Sequence, residues 1–177
     1  MKEKQYIKHG TSIKIYFDPI EVFGDGDHES TRFCLDLLYE YCRNKNVLDI
    51  GTGTGIQSIF AKKWGAEKVF ATDINPVSLL YAAKNFKINN VEVEYELADI
   101  VKDIDFMADV VVANLYPHVT PGMLRTIRSN LKDDGIVIFS WNRNFDLYNE
   151  CDMSYFEVIE HMTGYEYDAY VVKERNK

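Results

Sequence analysis

Val47-Leu48-Asp49-Ile50-Gly51-Thr52-Gly53-Thr54-Gly55 is the stretch whose reading decides the fold. Residues of buried-strand character run straight into three alternating glycines. Behind them Ile56, Ile59, Phe60 and Trp64 repeat at the i, i+3, i+4, i+8 spacing of a helix packed on a sheet. A turn without side chains lets a ligand approach the backbone, and a helix start behind it offers N–H groups, so the loop is expected to receive something polar. Val69 to Thr72 form a second apolar run closed by Asp73, and Asn75-Pro76 then supplies an N-cap and a first-turn proline for the next helix. An acid about 20 residues beyond the glycines stands where a carboxylate can accept both hydroxyls of a ribose. A dinucleotide site fits poorly, because its fingerprint wants a third glycine three positions after the second. That position is Ile56 counted from Gly51 and Gly53, and Ser58 counted from Gly53 and Gly55.

Asp49-x-Gly51-x-Gly53-x-Gly55 instead resembles the first motif of the class I methyltransferases, whose cofactor S-adenosylmethionine (SAM) carries a ribose and an amino-acid tail but no phosphate. The resemblance implies an α/β fold: a Rossmann-like open sheet, mostly parallel, with an antiparallel last strand and helices on both faces.

Composition bounds the rest. At 177 residues the chain holds one domain with a proper core, and no apolar run is long enough to span a membrane. The start, Met1-Lys2-Glu3-Lys4-Gln5, has no apolar signal segment, and Cys34, Cys42 and Cys151 lack metal spacing. A reduced, cytoplasmic setting is expected, with no metal and no membrane partner. The formal net charge of −8 repels a phosphate backbone, so no nucleic-acid partner is expected. The sequence sets no oligomeric state.

Taken in order, Gln5–Lys8 and Ile13–Phe17 alternate apolar and polar around His9-Gly10-Thr11-Ser12, which predicts a hairpin extension over residues 1–17 ahead of a domain over 18–177. A second glycine loop, rich in acids, covers Glu21 to Glu29, and Ser30 is placed to cap a helix with Cys34, Leu37, Leu38 and Tyr41 on its apolar face. After the Asn75-capped helix, with Leu79, Ala83 and Phe86 inward, Val91, Val93 and Tyr95 predict a third strand. Asp99 follows it, either an adenine contact or a plain loop acid or cap. Val110-Val111-Val112-Ala113 predicts a strand buried on both faces and ending at Asn114. In an open parallel sheet that end faces the same crevice as Gly51 and Asp73. Thr120-Pro121 starts a further helix, Asp134-Gly135 turns into the strand Ile136–Phe139, and strand-like runs around Tyr155–Ile159 and Tyr167–Val172 close the chain around a weak helix between Arg143 and Asp152.

Asp18-Pro19 through Phe23-Gly24-x-Gly26-x-His28-x-Ser30-Thr31 resembles the loop before the SAM motif in PrmA-type ribosomal protein (lysine) methyltransferases, which reads Phe-Gly-Thr-Gly-x-His-x-Thr-Thr. Asp25 and Ser30 depart from it where the family has threonine. The resemblance implies that Thr31, Gly51, Gly53, Gly55, Asp73, Asp99 and Asn114 bind SAM and that Asn114 also orients the acceptor. Phe23 and His28 in the loop before the SAM motif are expected at the substrate pocket, and so are Tyr116 and His118. At the latter two the sequence departs from the family's small and aliphatic residues, and an aromatic and a proline more often serve packing and turns. Full-length enzymes of this type carry an N-terminal docking domain, and only Met1 to Phe17 precede Asp18 here, so the ribosomal target is not inherited on sequence grounds. The expected activity is N-methylation of an amine on a protein or peptide; the alternatives are a small-molecule methyl acceptor and a non-catalytic SAM-binding module. Asp73→Ala is expected to weaken SAM binding at least tenfold in calorimetry, because a buried ribose loses a charge-assisted bond worth about 1.5–3 kcal/mol; unchanged affinity would remove the ribose assignment.

Overall fold

The computed structural model describes residues 1–18 and 26–175. The Phe23-Gly24-Asp25 part of the second glycine loop, and with it the Phe23 expectation, lies outside the described residues. In chain order the elements are β1 (Lys2–Lys8), β2 (Thr11–Phe17), α1 (Glu29–Tyr41), β3 (Asn46–Ile50), α2 (Ile56–Trp64), β4 (Lys68–Asp73), α3 (Pro76–Ile88), β5 (Glu94–Leu97) and β6 (Ala108–Ala113). They continue with α4 (Thr120–Thr126), a 3-10 turn (Ile127–Asn130), β7 (Leu131–Asn142), α5 (Leu147–Glu150), β8 (Phe156–Thr163) and β9 (Tyr167–Glu174).

Seven strands form one sheet in the order β5-β4-β3-β6-β7-β9-β8, parallel except that β9 inserts antiparallel between β7 and β8. The continuous apolar runs sit in the middle, as burial on both faces demands: Val47, Leu48, Val111 and Val112 are wholly inaccessible. One face packs against α1, α2 and α3 through Leu38, Ile59, Phe60, Ala82 and Phe86. The other packs against α4, the 3-10 turn and α5 through Met123, Leu124, Ile127 and Leu147. No helix among the described residues is long and apolar enough to cross a membrane.

β1 and β2 form the expected hairpin, closed by a two-residue turn. His9 and Gly10 both have positive φ, which matches the twist of the flanking strands. Ile13, Ile15 and Phe17 enter the same core as α1 and α2. Asn89 fixes the hairpin by accepting from Tyr16 N and donating to Tyr16 O at 2.9 and 2.7 Å, and Asn85 accepts from Asp18 N at 3.1 Å.

Four local expectations are corrected. The cap of α1 is His28, whose Nδ1 accepts from Ser30 N, while Ser30 itself is buried in the first turn. The inward face of α3 uses Ala82, with Ala83 only half-buried. Val91 and Val93 precede β5 because α3 ends on Asn90 at positive φ, with Val91 N bonded back to Phe86 O. The Asp134-Gly135 turn is an irregularity inside β7, where Leu131 pairs with Ala108 and Ile136 with Val110.

Gly55 illustrates how tightly the helices are drawn together. It has φ +83°, and a Cβ there would sit 2.6 Å from Phe86 Cε1 on α3. Gly55→Ala is therefore expected to lower unfolding free energy by roughly 2–4 kcal/mol, from backbone strain and overpacking together. Denaturant unfolding checks it; a loss below about 1 kcal/mol would show that α3 yields without cost.

Candidate active site

At the carboxyl ends of β3, β4 and β6 lies a cleft of about 1150 Å³. This is where an open parallel sheet places a ligand, beside the strand from which chain connections leave in both directions. Its walls include Thr31, Gly51, Gly53, Asp73, Asp99, Asn114 and Tyr116. Gly55, His28 and His118 do not line it: Gly55 serves the α2–α3 contact, His28 caps α1, and His118 is exposed and stacked on Tyr116 with ring centroids 5.8 Å apart.

The glycine loop is held from below by Asp49, which is fully buried in β3. Its carboxylate accepts from Thr52 Oγ1 at 2.7 Å, Ser58 Oγ at 2.6 Å, Ser58 N at 3.2 Å and Gln57 Nε2 at 3.0 Å. Burial pushes its pKa up to about 6 against the pull of those donors. Above the loop, Asp73 accepts from Gly53 N with one oxygen and from Asn75 N with the other, both at 2.9 Å. The same carboxylate thus ties the loop to the start of α3.

Most of the N–H groups in the turn itself are taken up within the protein. Gly51 N and Thr52 N both donate to Thr72 O, Gly53 N to Asp73 and Gly55 N to Thr52 O. Those four donors are consumed within the protein and are not available to cradle a pyrophosphate. Gly51 (φ +71°) serves close approach instead, since a Cβ would collide with Leu115. Gln57 Oε1, on the cleft wall, is a buried acceptor with no partner among the described residues. It matches a ligand that brings a donor of its own.

Asn114 is fixed from both sides. Its Nδ2 donates to Thr31 Oγ1 at 3.1 Å, and its Oδ1 accepts from Ser140 Oγ at 2.7 Å, which sets the amide orientation. This bond ties the end of β6 to α1, and Gly26 of the second glycine loop lies against Ile56 at the start of α2. Asp99 follows Ala98, whose N–H is held by Asp73 O, and the chain then turns through Ile100 at φ +60°. That is an unusual conformation for a β-branched residue, held by Thr72 Oγ1 donating to Ile100 O at 2.9 Å.

Tyr167, on β9, completes the wall and meets the His28 ring edge-on at 4.8 Å. Its position is set by Glu29, whose carboxylate accepts from the backbone N–H groups of Tyr165, Glu166 and Tyr167 at 2.8, 2.9 and 2.8 Å. These bonds, that from Tyr165 foremost, hold the Glu29 carboxyl below the usual range. Sequence reading missed Gln57, Ser140, Tyr167 and Glu29 and gave Asp49 no task. Only Asp49, an acid inside an apolar strand, left a local signal. Among the described residues no group of three or more His, Cys, Asp and Glu could hold a metal ion.

The strand order, the glycine loop and the cleft define the class I SAM-dependent methyltransferase fold. A family model described as ribosomal protein L11 methyltransferase (PrmA) matches residues 1–174, and the chain belongs to that family. The ribosomal protein L11 methyltransferase of Caldicellulosiruptor bescii is 37% identical over 161 residues, 89% of this chain and 53% of that protein. That of Thermosipho melanesiensis is 35% identical over 172 residues, 97% of this chain and 66% of that protein. The chain spans about half the length of the first of these relatives. Among solved structures, ribosomal protein L11 methylase from Lactobacillus delbrueckii subsp. bulgaricus superposes with a TM-score of 0.82 at 27% identity, over 92% of this chain and 86% of that one. A Thermus thermophilus 16S rRNA methyltransferase (RsmC), solved with AdoMet and guanosine, shares the fold alone: TM-score 0.79 at 18% identity, over 98% of this chain and 50% of that one.

Because Asp49 has its folded pKa raised from 3.8 to about 6, its ionisation costs stability as pH climbs through that window, and the cost is complete above it. Ser58→Ala removes a donor to the charged form, so the Asp49 pKa should rise further. Unfolding free energy should fall by about 1–3 kcal/mol at pH 7 and by less near pH 4. Carboxyl NMR titration with denaturant unfolding at both pH values checks it; an equal loss at the two would show that the Ser58 hydroxyl does not serve the carboxylate.

Proposed function

We propose that this chain binds SAM in the cleft and transfers its methyl group to an amine of a protein acceptor, with ribosomal protein L11 as that acceptor. The observation that carries the reading is the convergence at one sheet edge of a glycine loop whose N–H groups are spent, a ribose-type carboxylate at Asp73 and an oriented amide at Asn114. Such a site suits a nucleoside without phosphate, and the unmatched Gln57 Oε1 suits a ligand carrying an ammonium group. The names of the family and of its relatives favour a ribosomal protein over the small-molecule and non-catalytic alternatives.

Bound there, SAM supplies an electrophilic methyl on a sulfonium whose departure leaves a neutral sulfide. The protein's task is then alignment, which can contribute about 7–11 kcal/mol without an acid or base. On this reading Asp73 accepts from the ribose hydroxyls and Asp99 from the adenine edge. Gly51 and Gly53 admit the amino-acid end, and Thr31 with Asn114 sets the wall against which the methyl faces the acceptor. Tyr116, 70% exposed at the rim, and Tyr167 flank the entrance for the acceptor chain. Residues 18–177 carry this catalytic unit, and the hairpin of residues 1–17 is packed onto it. We place the reaction in a reduced, cytoplasmic setting, supported by Cys34, Cys42 and Cys151 being free and buried.

Radiolabelled SAM offered with purified ribosomal protein L11 and with small amines tests the proposal: label is expected in the protein fraction. Label only in small molecules, or binding without transfer, would overturn it. Asn114→Ala should lower the transfer rate by roughly 100-fold through misalignment, with SAM affinity changed by less than about threefold. Equal losses in both would make Asn114 a cofactor ligand only.

A further inference from the structure

The N-terminal hairpin reaches the cleft. Lys2, at the start of β1, is the one cation among the described residues that line it, facing a wall that otherwise carries Asp73 and Asp99. The hairpin is anchored, so this placement is not incidental. Tyr6 packs edge-on against Phe60 at 4.8 Å and hydrogen-bonds Asp36, while Lys8 pairs with Glu40 at 2.9 Å. The other two cations near the head of α1 are committed: Lys4 and Arg32 both pair with Asp27. Lys2 also acts on Asp27 through its charge, but among the described residues no acidic group lies within ion-pair distance of it.

The donor molecule of the proposed reaction carries a carboxylate on its amino-acid tail, which needs a cation or N–H donors. Gly51 N, Thr52 N and Gly53 N do not serve it, because they are already bonded within the protein. Ser30 and Thr31 lie on the same wall as Lys2, but Ser30 Oγ is shared with His28 Nδ1 at 2.7 Å, and neither hydroxyl carries charge. We propose that Lys2 is the counter-ion for that tail carboxylate, so that the hairpin completes the donor site. The assignment rests on the reading that the cleft binds SAM. It makes β1 and β2 a determinant of donor specificity, selecting a zwitterionic amino-acid tail over an amine tail.

Calorimetry on the full chain with SAM and with its decarboxylated analogue, which keeps the sulfonium and ammonium and lacks the carboxylate, tests it. The wild-type chain should prefer SAM. Lys2→Gln should weaken SAM by about fivefold to tenfold and leave the analogue within about twofold, and Lys2→Arg should keep the preference. Lys2 is exposed, so these variants are not expected to disturb folding. Equal loss for both ligands, or none for either, would overturn the Lys2 assignment while leaving the SAM site in place. Failure of the wild-type chain to bind either ligand would instead remove the SAM reading, and this inference with it.

Discussion

A single buried carboxylate fixes the shape of the site. Asp49 leaves β3 toward the helix face of the sheet and gathers the Thr52 hydroxyl, the Gln57 amide and both donors of Ser58. Three chain segments, the strand end, the glycine loop and the first turn of α2, are thereby bound to one group. A fully buried carboxylate is costly, which its raised pKa records, and the charged form is tolerated because every direction toward the loop holds a donor. Loss of any donor therefore weakens the loop and the carboxylate together.

The proposed catalysis by alignment requires a site whose geometry exists before the ligand arrives, and the remaining contacts fix such a geometry. Asp73 spends one bond of each oxygen on the loop and on α3, which turns the carboxylate rigidly toward the cleft. Asn114 cannot rotate without breaking its bond to Ser140 or to Thr31. Glu29 gathers three backbone N–H groups of the β8–β9 connection and so carries Tyr167 against α1. Because its pKa is lowered in the fold, that tether is present above the ordinary carboxylate range and is lost as pH falls below it.

The hairpin formed by β1 and β2 belongs to this framework. Asn85 accepts from Asp18 N at the end of β2 and donates to Thr54 O in the glycine loop at 2.8 Å, so one side chain couples the two. The end of the hairpin is thus joined to the glycine loop through two hydrogen bonds of one side chain. Tyr116 and Tyr167 line the cleft, Tyr116 exposed and Tyr167 packed on the His28 ring.

The sequence by itself determined the order of strands and helices, the caps at Asn75 and Pro76, and the glycine loop with its acid at Asp73. These are encoded by periodicity and by backbone conformations that few residues adopt. It also brought Gly51, Asp73 and Asn114 to one rim, because parallel strands expose their carboxyl ends on the same side. Only the tertiary structure decided which N–H groups the loop retains, why Gly55 must be glycine, that Gln57, Tyr167 and Lys2 reach the cleft, and that Ser140 orients Asn114. Each of those facts depends on side chains distant in sequence meeting across packed layers, and such meetings leave no local periodicity to read.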